Sequence, residues 1–395
     1  VEASAPVARN RLVLVSALGI TQIIAWGSSF YLPAVLAAPI AAQTGWSLAA
    51  VVAGLSCGLL LAGLVSPISG RLIQRHGGRP VLAASSLLLA SAHGLMATAT
   101  AYPIYLLAWL LMGLGMSSGL YDAGFATLGR LYGRDARGAI TSLTLFGGFA
   151  STICWPLSAF LVEHEGWRFA CFAYAALHLL VCLPLHLWVV PPLPASAPRP
   201  AAGQQKQGPA AGQTRTRFIL LASIQTVAAL ISSMLSVHLL TLLQLRGVGL
   251  AVAVGFGALI GPSQVAARIA EMLIGRNRHH PIWTMLTSVS LIAAGLGFLL
   301  VDQTFIAVGL ILFGAGNGIY TIARGALPLV LFDPQQYAAL MGKLATPSLV
   351  VQAAAPSIGA LLLHAGGGNL LLQVLAIAAI GNVALCAGLV SILRR

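Results

Sequence analysis

Gly70 to Pro80 reads GRLIQRHGGRP: three arginines and a histidine in eleven residues, with no acid among them and an apolar run on either side. The chain has 395 residues, 58% of them hydrophobic and only 7% charged. Its mean hydropathy is +0.91. A soluble chain of this length carries about 25% charged residues, so the composition is that of a membrane protein. The question is why its sparse charge gathers at Gly70–Pro80.

A bilayer-spanning helix needs about 20 mainly apolar residues. Twelve segments qualify, at 11–40, 47–69, 80–100, 103–131, 138–162, 168–190, 217–244, 248–273, 281–301, 304–331, 340–363 and 369–392. They are rich in Leu, Ala and Gly and lack the alternating ten-residue pattern of outer-membrane barrels. An all-α integral membrane protein with twelve transmembrane helices is therefore expected.

A net charge of +13 in a soluble protein would suggest nucleic acid, but the positions of the charges exclude that reading. Of 21 Lys and Arg, seventeen fall near the termini (Arg9, Arg11, Arg394, Arg395) or in even-numbered loops (Arg71, Arg75, Arg79, Arg130, Arg134, Arg137, Arg199, Lys206, Arg215, Arg217, Arg276, Arg278, Lys343). Only Arg168 and Arg246 fall in odd-numbered loops. The positive-inside rule then predicts that both termini and every even loop are cytoplasmic. The opening stretch is one such loop.

Cys57, Cys154, Cys171, Cys182 and Cys386 lie inside the spans and form no CxxC pair, so neither a disulfide framework nor a metal site is expected. The first apolar run resembles a signal peptide in charge and hydrophobicity, but eleven further spans favour an uncleaved helix. Residues 191–216, PPLPASAPRPAAGQQKQGPAAGQTRT, have the composition of a linker. They divide the chain into expected domains at 1–190 and 217–395. Gly113-Leu-Gly115 matches Gly314-Ala-Gly316, GLY at 119–121 matches GIY at 318–320, and Pro156 aligns with Pro356. The common order predicts a duplicated six-helix unit.

Gly70, Leu72, Arg75, Gly77, Arg79 and Leu82 resemble the GxLxDRxGRR-like loop between helices 2 and 3 of the major facilitator superfamily. The twelve spans, the linker and GWR at 166–168 fit as well. The resemblance implies two pseudo-symmetric six-helix bundles around a central cavity, with alternating access by rocking of the halves. It also implies that the loop latches the bundles at the cytoplasmic face. Gln74 stands where the family has an acid, so a neutral hydrogen bond must serve here. The drug-antiporter glycine-proline pattern is absent from GGFASTICWPLSAF, and the fourth-span arginine of many proton-coupled members falls near Trp109.

Two local matches resemble the monocarboxylate-porter-like branch: VHLLTLL at 237–243 and PSQVAAR at 262–268, with Gln264 in the acid position of a DxxxR element. The resemblance implies that Arg268 grips a substrate carboxylate. The first-helix lysine of that branch is missing, since Ala34 follows Pro33.

Independently of family, an ionised side chain within a span costs about 2.5–3.5 kcal/mol on insertion scales and faces a cavity or a partner. Asp122, Arg268 and Arg324 stand out. Asp122 and Arg324 lie at similar depth and could pair across the bundle interface, although Arg130 is an alternative neighbour for Asp122 and Glu271 for Arg268. Gln22, Trp26, Ser29, Tyr121, Gln225, His238, Asn317 and Tyr320 are further substrate-binding candidates, and GSSFYLP with Gly27 and Pro33 suggests a broken first helix. His93, His178 and His186 read as packing residues. His279 and His280 form a loop pair without acids or cysteines.

The expected protein is a monomeric secondary transporter of the bacterial inner membrane with no cofactor, moving a small organic anion by alternating access. Asp122 is the candidate proton carrier of a symport mechanism. Efflux of a small neutral or metalloid solute such as arsenite is the alternative substrate class. A polytopic enzyme needs clustered acids, histidines or metal ligands, and a transport-like sensor needs a soluble signalling domain. Eight acids and no loop beyond about 26 residues favour neither.

Overall fold

A computed structural model describes residues 5–192, 211–274 and 279–394. Most of the expected linker, with Arg199 and Lys206, and the loop residues Arg276 and Arg278 lie outside the described residues. Among the described residues, nine helical stretches are long and apolar enough to cross a bilayer. Two are too long to cross once, Tyr102–Trp188 with 87 residues and Pro334–Arg394 with 61. About 20 residues rising 1.5 Å each suffice for one crossing.

The backbone divides these two where the apolar pattern ends. A 3-10 turn at Gly133–Asp135 separates helix 4 from helix 5, Gly166 with φ 84° separates helix 5 from helix 6, and Gly367 with φ 68° separates helix 11 from helix 12. A side chain with a Cβ takes such φ values only at a steric cost, which glycine avoids. The nine stretches therefore contain twelve helices, numbered in chain order: helix 2 is Leu48–His76, helix 3 Gly78–Thr98, helix 5 136–165, helix 6 167–188, helix 7 Ala211–Leu245, helix 9 Pro281–Val301, helix 10 Ile306–Leu331, helix 11 337–365 and helix 12 368–394, with helices 1, 4 and 8 described below.

Four crossings are interrupted: helix 5 at Phe149, between Ala136–Gly148 and the segment that starts at Ala150, and helices 1, 4 and 8 as follows. Helix 1 runs as Ala5–Ser28, turns, and resumes at Pro33–Thr44. Helix 4 is Tyr102–Gly119 and Tyr121–Tyr132, joined by an extended Leu120. Helix 8 is Leu250–Gly257 and Ile260–Ile274.

The internal repeat is visible in packing. Gly113 of helix 4 lies against Gly58 of helix 2, and Gly314 of helix 10 against Ile260 of helix 8. Gly115 meets Leu89 of helix 3, and Gly316 meets Ile292 of helix 9. Ser85 donates to the Gly115 carbonyl and Ser288 to the Gly316 carbonyl, both at 2.9 Å. Equivalent seats in the two halves define two pseudo-symmetric six-helix bundles.

The bundles meet toward the arginine-rich end. Helix 2 packs on helix 11 through a seam of small residues: a Cβ at Gly70 would stand 3.1 Å from Gly342 Cα, and Thr346 Oγ1 donates to the Gly63 carbonyl at 2.9 Å. Phe125 of helix 4, Ile140 of helix 5, Leu327 of helix 10 and Tyr337 of helix 11 are all fully buried in one apolar cluster that joins the halves. Leu180, Leu361 and Ile377 instead stand 70–75% exposed on the outside, which suits contact with lipid rather than water.

Candidate functional site

The break in helix 4 creates a helix N-terminus inside the membrane, with Asp122 in the first turn of Tyr121–Tyr132. Unpaired backbone N–H groups there favour a carboxylate. Arg324 of helix 10 brings Nη2 to 2.5 Å from both Asp122 carboxylate oxygens. The pair joins the two bundles, and its side chains are only 13% and 16% exposed. Tyr337 donates to the Gly325 carbonyl at 2.7 Å and Tyr320 to the Gln225 carbonyl at 3.2 Å, which fixes helix 10 on either side of Arg324.

Arg268 of helix 8 is 3% exposed. Its Nε donates to the Gly318 carbonyl at 3.2 Å, Nη1 to the Thr144 carbonyl of helix 5 at 3.1 Å, and Nη2 to Gln264 Oε1 at 3.3 Å. Every one of these acceptors is neutral. Glu271, one turn on, pairs instead with Arg137 at 3.5 Å and accepts from Thr284 Oγ1 at 2.8 Å. Among the described residues no acid therefore forms an ion pair with Arg268. Gly148 leaves room for the guanidinium beside helix 5.

Aromatic rings crowd this region. Tyr121 donates to the same Thr144 carbonyl at 3.3 Å, stacks on Phe125 at 5.2 Å and lies 5.1 Å from Trp26. One turn beyond Gly148, Ser151, Thr152 and Trp155 join Ala34 and Val35 of helix 1 along an open, largely apolar groove.

The remaining candidates have separate surroundings. Gln22 donates to the Gly119 carbonyl at 2.6 Å, at the helix 4 break, and accepts from Trp26 at 3.1 Å. Ser29 donates to Ala25 O of its own helix at 2.5 Å. Asn317 accepts from Ser232 at 3.1 Å, and His238 Nε2 lies 3.0 Å from the Pro356 carbonyl. Gln225 is fully buried, and neither atom of its amide has a protein partner.

At the loop between helices 2 and 3, Gln74 donates to the Gln335 carbonyl beside helix 11, a neutral bond between the halves. Gly77, with φ 82°, ends helix 2, Arg75 is exposed and Arg79 half-buried. The sequence reading missed a charged bridge nearby. Arg137, at the start of helix 5, joins Glu271 and donates to the His279 carbonyl at 2.8 Å, while His279 Nε2 lies 3.5 Å from Glu271. His280 Nδ1 accepts from Ile282 N–H at 3.2 Å, capping helix 9. Burial, and then the Arg137 charge, lower its pKa below the usual imidazole value.

A profile for the Major Facilitator Superfamily matches residues 18–281. The chain belongs to this superfamily and is a multi-pass membrane transporter. The crystal structure of the human organic anion transporter MFSD10 (TETRAN) is similar to it with a TM-score of 0.73 and 17% identity, over 95% of this chain and 99% of that one. At that identity the likeness speaks for the fold. No curated relative matches the sequence.

Proposed function

We propose that this chain is a secondary transporter of a small organic anion, and that Arg268 is the anion's principal contact. The observation that carries this reading is a guanidinium 3% exposed, bound only to neutral acceptors. A buried cation without a counter-charge is costly, and a carboxylate supplies both the missing charge and a planar pair of acceptors that match the guanidinium fork. Arg268 contacts both bundles, so an anion that draws it from the Thr144 carbonyl loosens their contact. The resemblance to a structure described as an organic anion transporter agrees with this substrate class.

Asp122 and Arg324 form the coupling element of this proposal. Protonation of Asp122 removes half of an ion pair that joins helices 4 and 10, and so favours separation of the bundles at that end. Gln74 and the Gly70 seam close the same face. In the proposed orientation this end is cytoplasmic, both termini lie inside, and the structure faces outward, in a bacterial inner membrane. The protein works as a monomer, with protons as the driving ion.

The test uses proteoliposomes and a panel of radiolabelled small monocarboxylates. The wild-type protein is expected to accumulate at least one of them under an imposed inward proton gradient. Asp122→Asn, which mimics the protonated acid, is expected to exchange the same anion across the membrane without accumulating it. Gradient-driven accumulation by Asp122→Asn would remove Asp122 from the coupling, and failure of every carboxylate would remove the substrate class.

A further inference from the structure

Three histidines scattered in the sequence meet in the first bundle, away from the Asp122 and Arg268 regions. His93 of helix 3 and His178 and His186 of helix 6 are buried, with exposures of 0%, 1% and 4%. All three lie against helix 1. His186 makes contacts of 2.9 Å to Ser86 Oγ and 3.1 Å to Thr21 Oγ1. His178 Nε2 lies 2.9 Å from Ser28 Oγ, while its Nδ1 is buried without a partner.

His93 has the most demanding surroundings. Its Nε2 lies 2.8 Å from the Ser28 carbonyl and its Nδ1 2.7 Å from the Leu89 carbonyl. Carbonyl oxygens only accept, whereas a neutral imidazole has one donor nitrogen and one acceptor nitrogen. Either neutral tautomer therefore points a lone pair at an oxygen. Only the imidazolium donates to both.

The Ser28 carbonyl is free because helix 1 breaks there. Leu32, whose N–H would bond to it in a continuous helix, donates to the Ser29 carbonyl at 3.2 Å instead. His93 supplies the replacement donor. Its ring stacks on His178 at 5.6 Å, and His178 opens a π-helical stretch, His178–Cys182. Such stretches in a helix are frequently functional.

We propose that His93 and His178 form a proton-binding site, holding one proton on a pair of stacked rings, and that its occupancy stabilises the break in helix 1. Two imidazolium rings at this separation repel, so the pair takes one proton rather than two. The titratable groups facing His93 come from helix 6: His178, and Tyr174 at 5.7 Å between ring centres, whose hydroxyl is engaged with Ser158 at 2.6 Å. Helix 1 presents Ser28, and helix 3 the Leu89 carbonyl. When the proton leaves, one of the two bonds to His93 is lost, and the Ser28 carbonyl regains the option of a helical partner. Helix 1 then shifts at the break, where Pro33 keeps the two segments from becoming one continuous helix. Its outer segment bears Ala34 and Val35 on the groove against helix 5, so the proton's effect is carried through helix 1 to that groove. The purpose of the site rests on the transporter reading, but its existence does not.

The experiment is histidine-selective 15N labelling of the full chain in lipid nanodiscs. Among the signals of the nine histidines, the one assigned to His93 by comparison with His93→Gln is expected to have both ring nitrogens protonated at about pH 5.5 and to convert to a neutral ring by about pH 8. The signal should vanish in His93→Gln and persist in Asp122→Asn. A His93 ring that stays neutral over that range in the wild-type protein overturns the proposal. A spin-label pair at Ala34→Cys and Val252→Cys, with Cys57→Ser, should report a distance that shifts over the same range and stops shifting in His93→Gln. An unchanged distance while His93 titrates overturns the link to helix 1. Neither measurement uses a substrate or a gradient, so a titrating His93 in a protein that moves no anion leaves this site standing and removes the transport reading.

Discussion

Replacing Asp122 with Asn leaves Arg324 buried without its counter-charge. The two side chains are 13% and 16% exposed, so water screens the pair only in part. Removing one partner of a buried ion pair costs about 3–5 kcal/mol, and the residual exposure argues for the lower end, about 3 kcal/mol. Because the pair joins helix 4 to helix 10, that energy belongs to the state in which the bundles meet at the basic end. At 1.4 kcal/mol per tenfold, the ratio of closed to open at that end should fall roughly a hundredfold. Spin labels on the exposed Arg75 of helix 2 and on Gln336 beside helix 11, read by pulsed electron resonance in nanodiscs, measure that ratio. Asp122→Asn should populate a longer distance. The double variant Asp122→Asn with Arg324→Gln should recover much of the short one, since it removes both charges. If Asp122→Asn leaves the distribution unchanged while the protein remains folded, the pair does not hold the bundles together.

Substitution of Gly70 by Leu should disfavour closure of the same end, because even a Cβ meets the Ala338 carbonyl and Gly342; the same label pair should report a longer distance, with little change for Gly94→Ala, which faces open space. His280 gives a pH dependence. Its folded-state pKa is lowered by burial and by Arg137, so the unfolded chain binds the proton more tightly. The stability it contributes is present above the unfolded value of about 6.5 and is lost as pH falls below it. Thermal unfolding of the purified protein should show this loss on acidification, and His280→Asn, which retains a capping acceptor, should reduce it. A cysteine introduced at Lys206 should react with an impermeant reagent only from the cytoplasmic side in cells, and labelling from outside would reverse the proposed orientation.

Much of the architecture could be read because a bilayer imposes simple demands. Apolar length gave the twelve crossings, Gly27 and Pro33 marked the break in helix 1, and the Gly113 and Gly314 motifs carried the repeat that packing reveals. Similar depth, together with the cavity-lining helices that the family resemblance implies, offered Arg324 as a partner for Asp122 beside Arg130, and the fold brings Arg324 to it. Other breaks were not. Gly119-Leu-Tyr121 and Gly318-Ile-Tyr320 read alike, yet Leu120 is extended and helix 10 continues through Ile319; the difference lies in tertiary contacts, with Gln22 taking the Gly119 carbonyl freed by the break. The partner of Glu271 was also hidden, because helical spacing offers Arg268 and only the fold brings Arg137 across from the other bundle. The histidines were read singly as packing residues. His178 and His186 are eight residues apart, about two turns on one face, and that spacing was the available signal; His93 comes from a helix 85 residues earlier.

The substrate contact can be examined without transport. Binding of small carboxylates to purified protein, read as ligand-induced stabilisation against heat beside sugars of similar size, isolates the role of Arg268. A carboxylate should stabilise the wild-type protein and a neutral sugar should not. Loss of the charge-assisted bonds in Arg268→Ala should weaken that binding by about 2 kcal/mol, roughly thirtyfold, and Arg268→Lys should recover only part because the planar fork is gone. Equal binding of the carboxylate by the wild-type protein and by folded Arg268→Ala would contradict the assignment of Arg268 as the anion's contact.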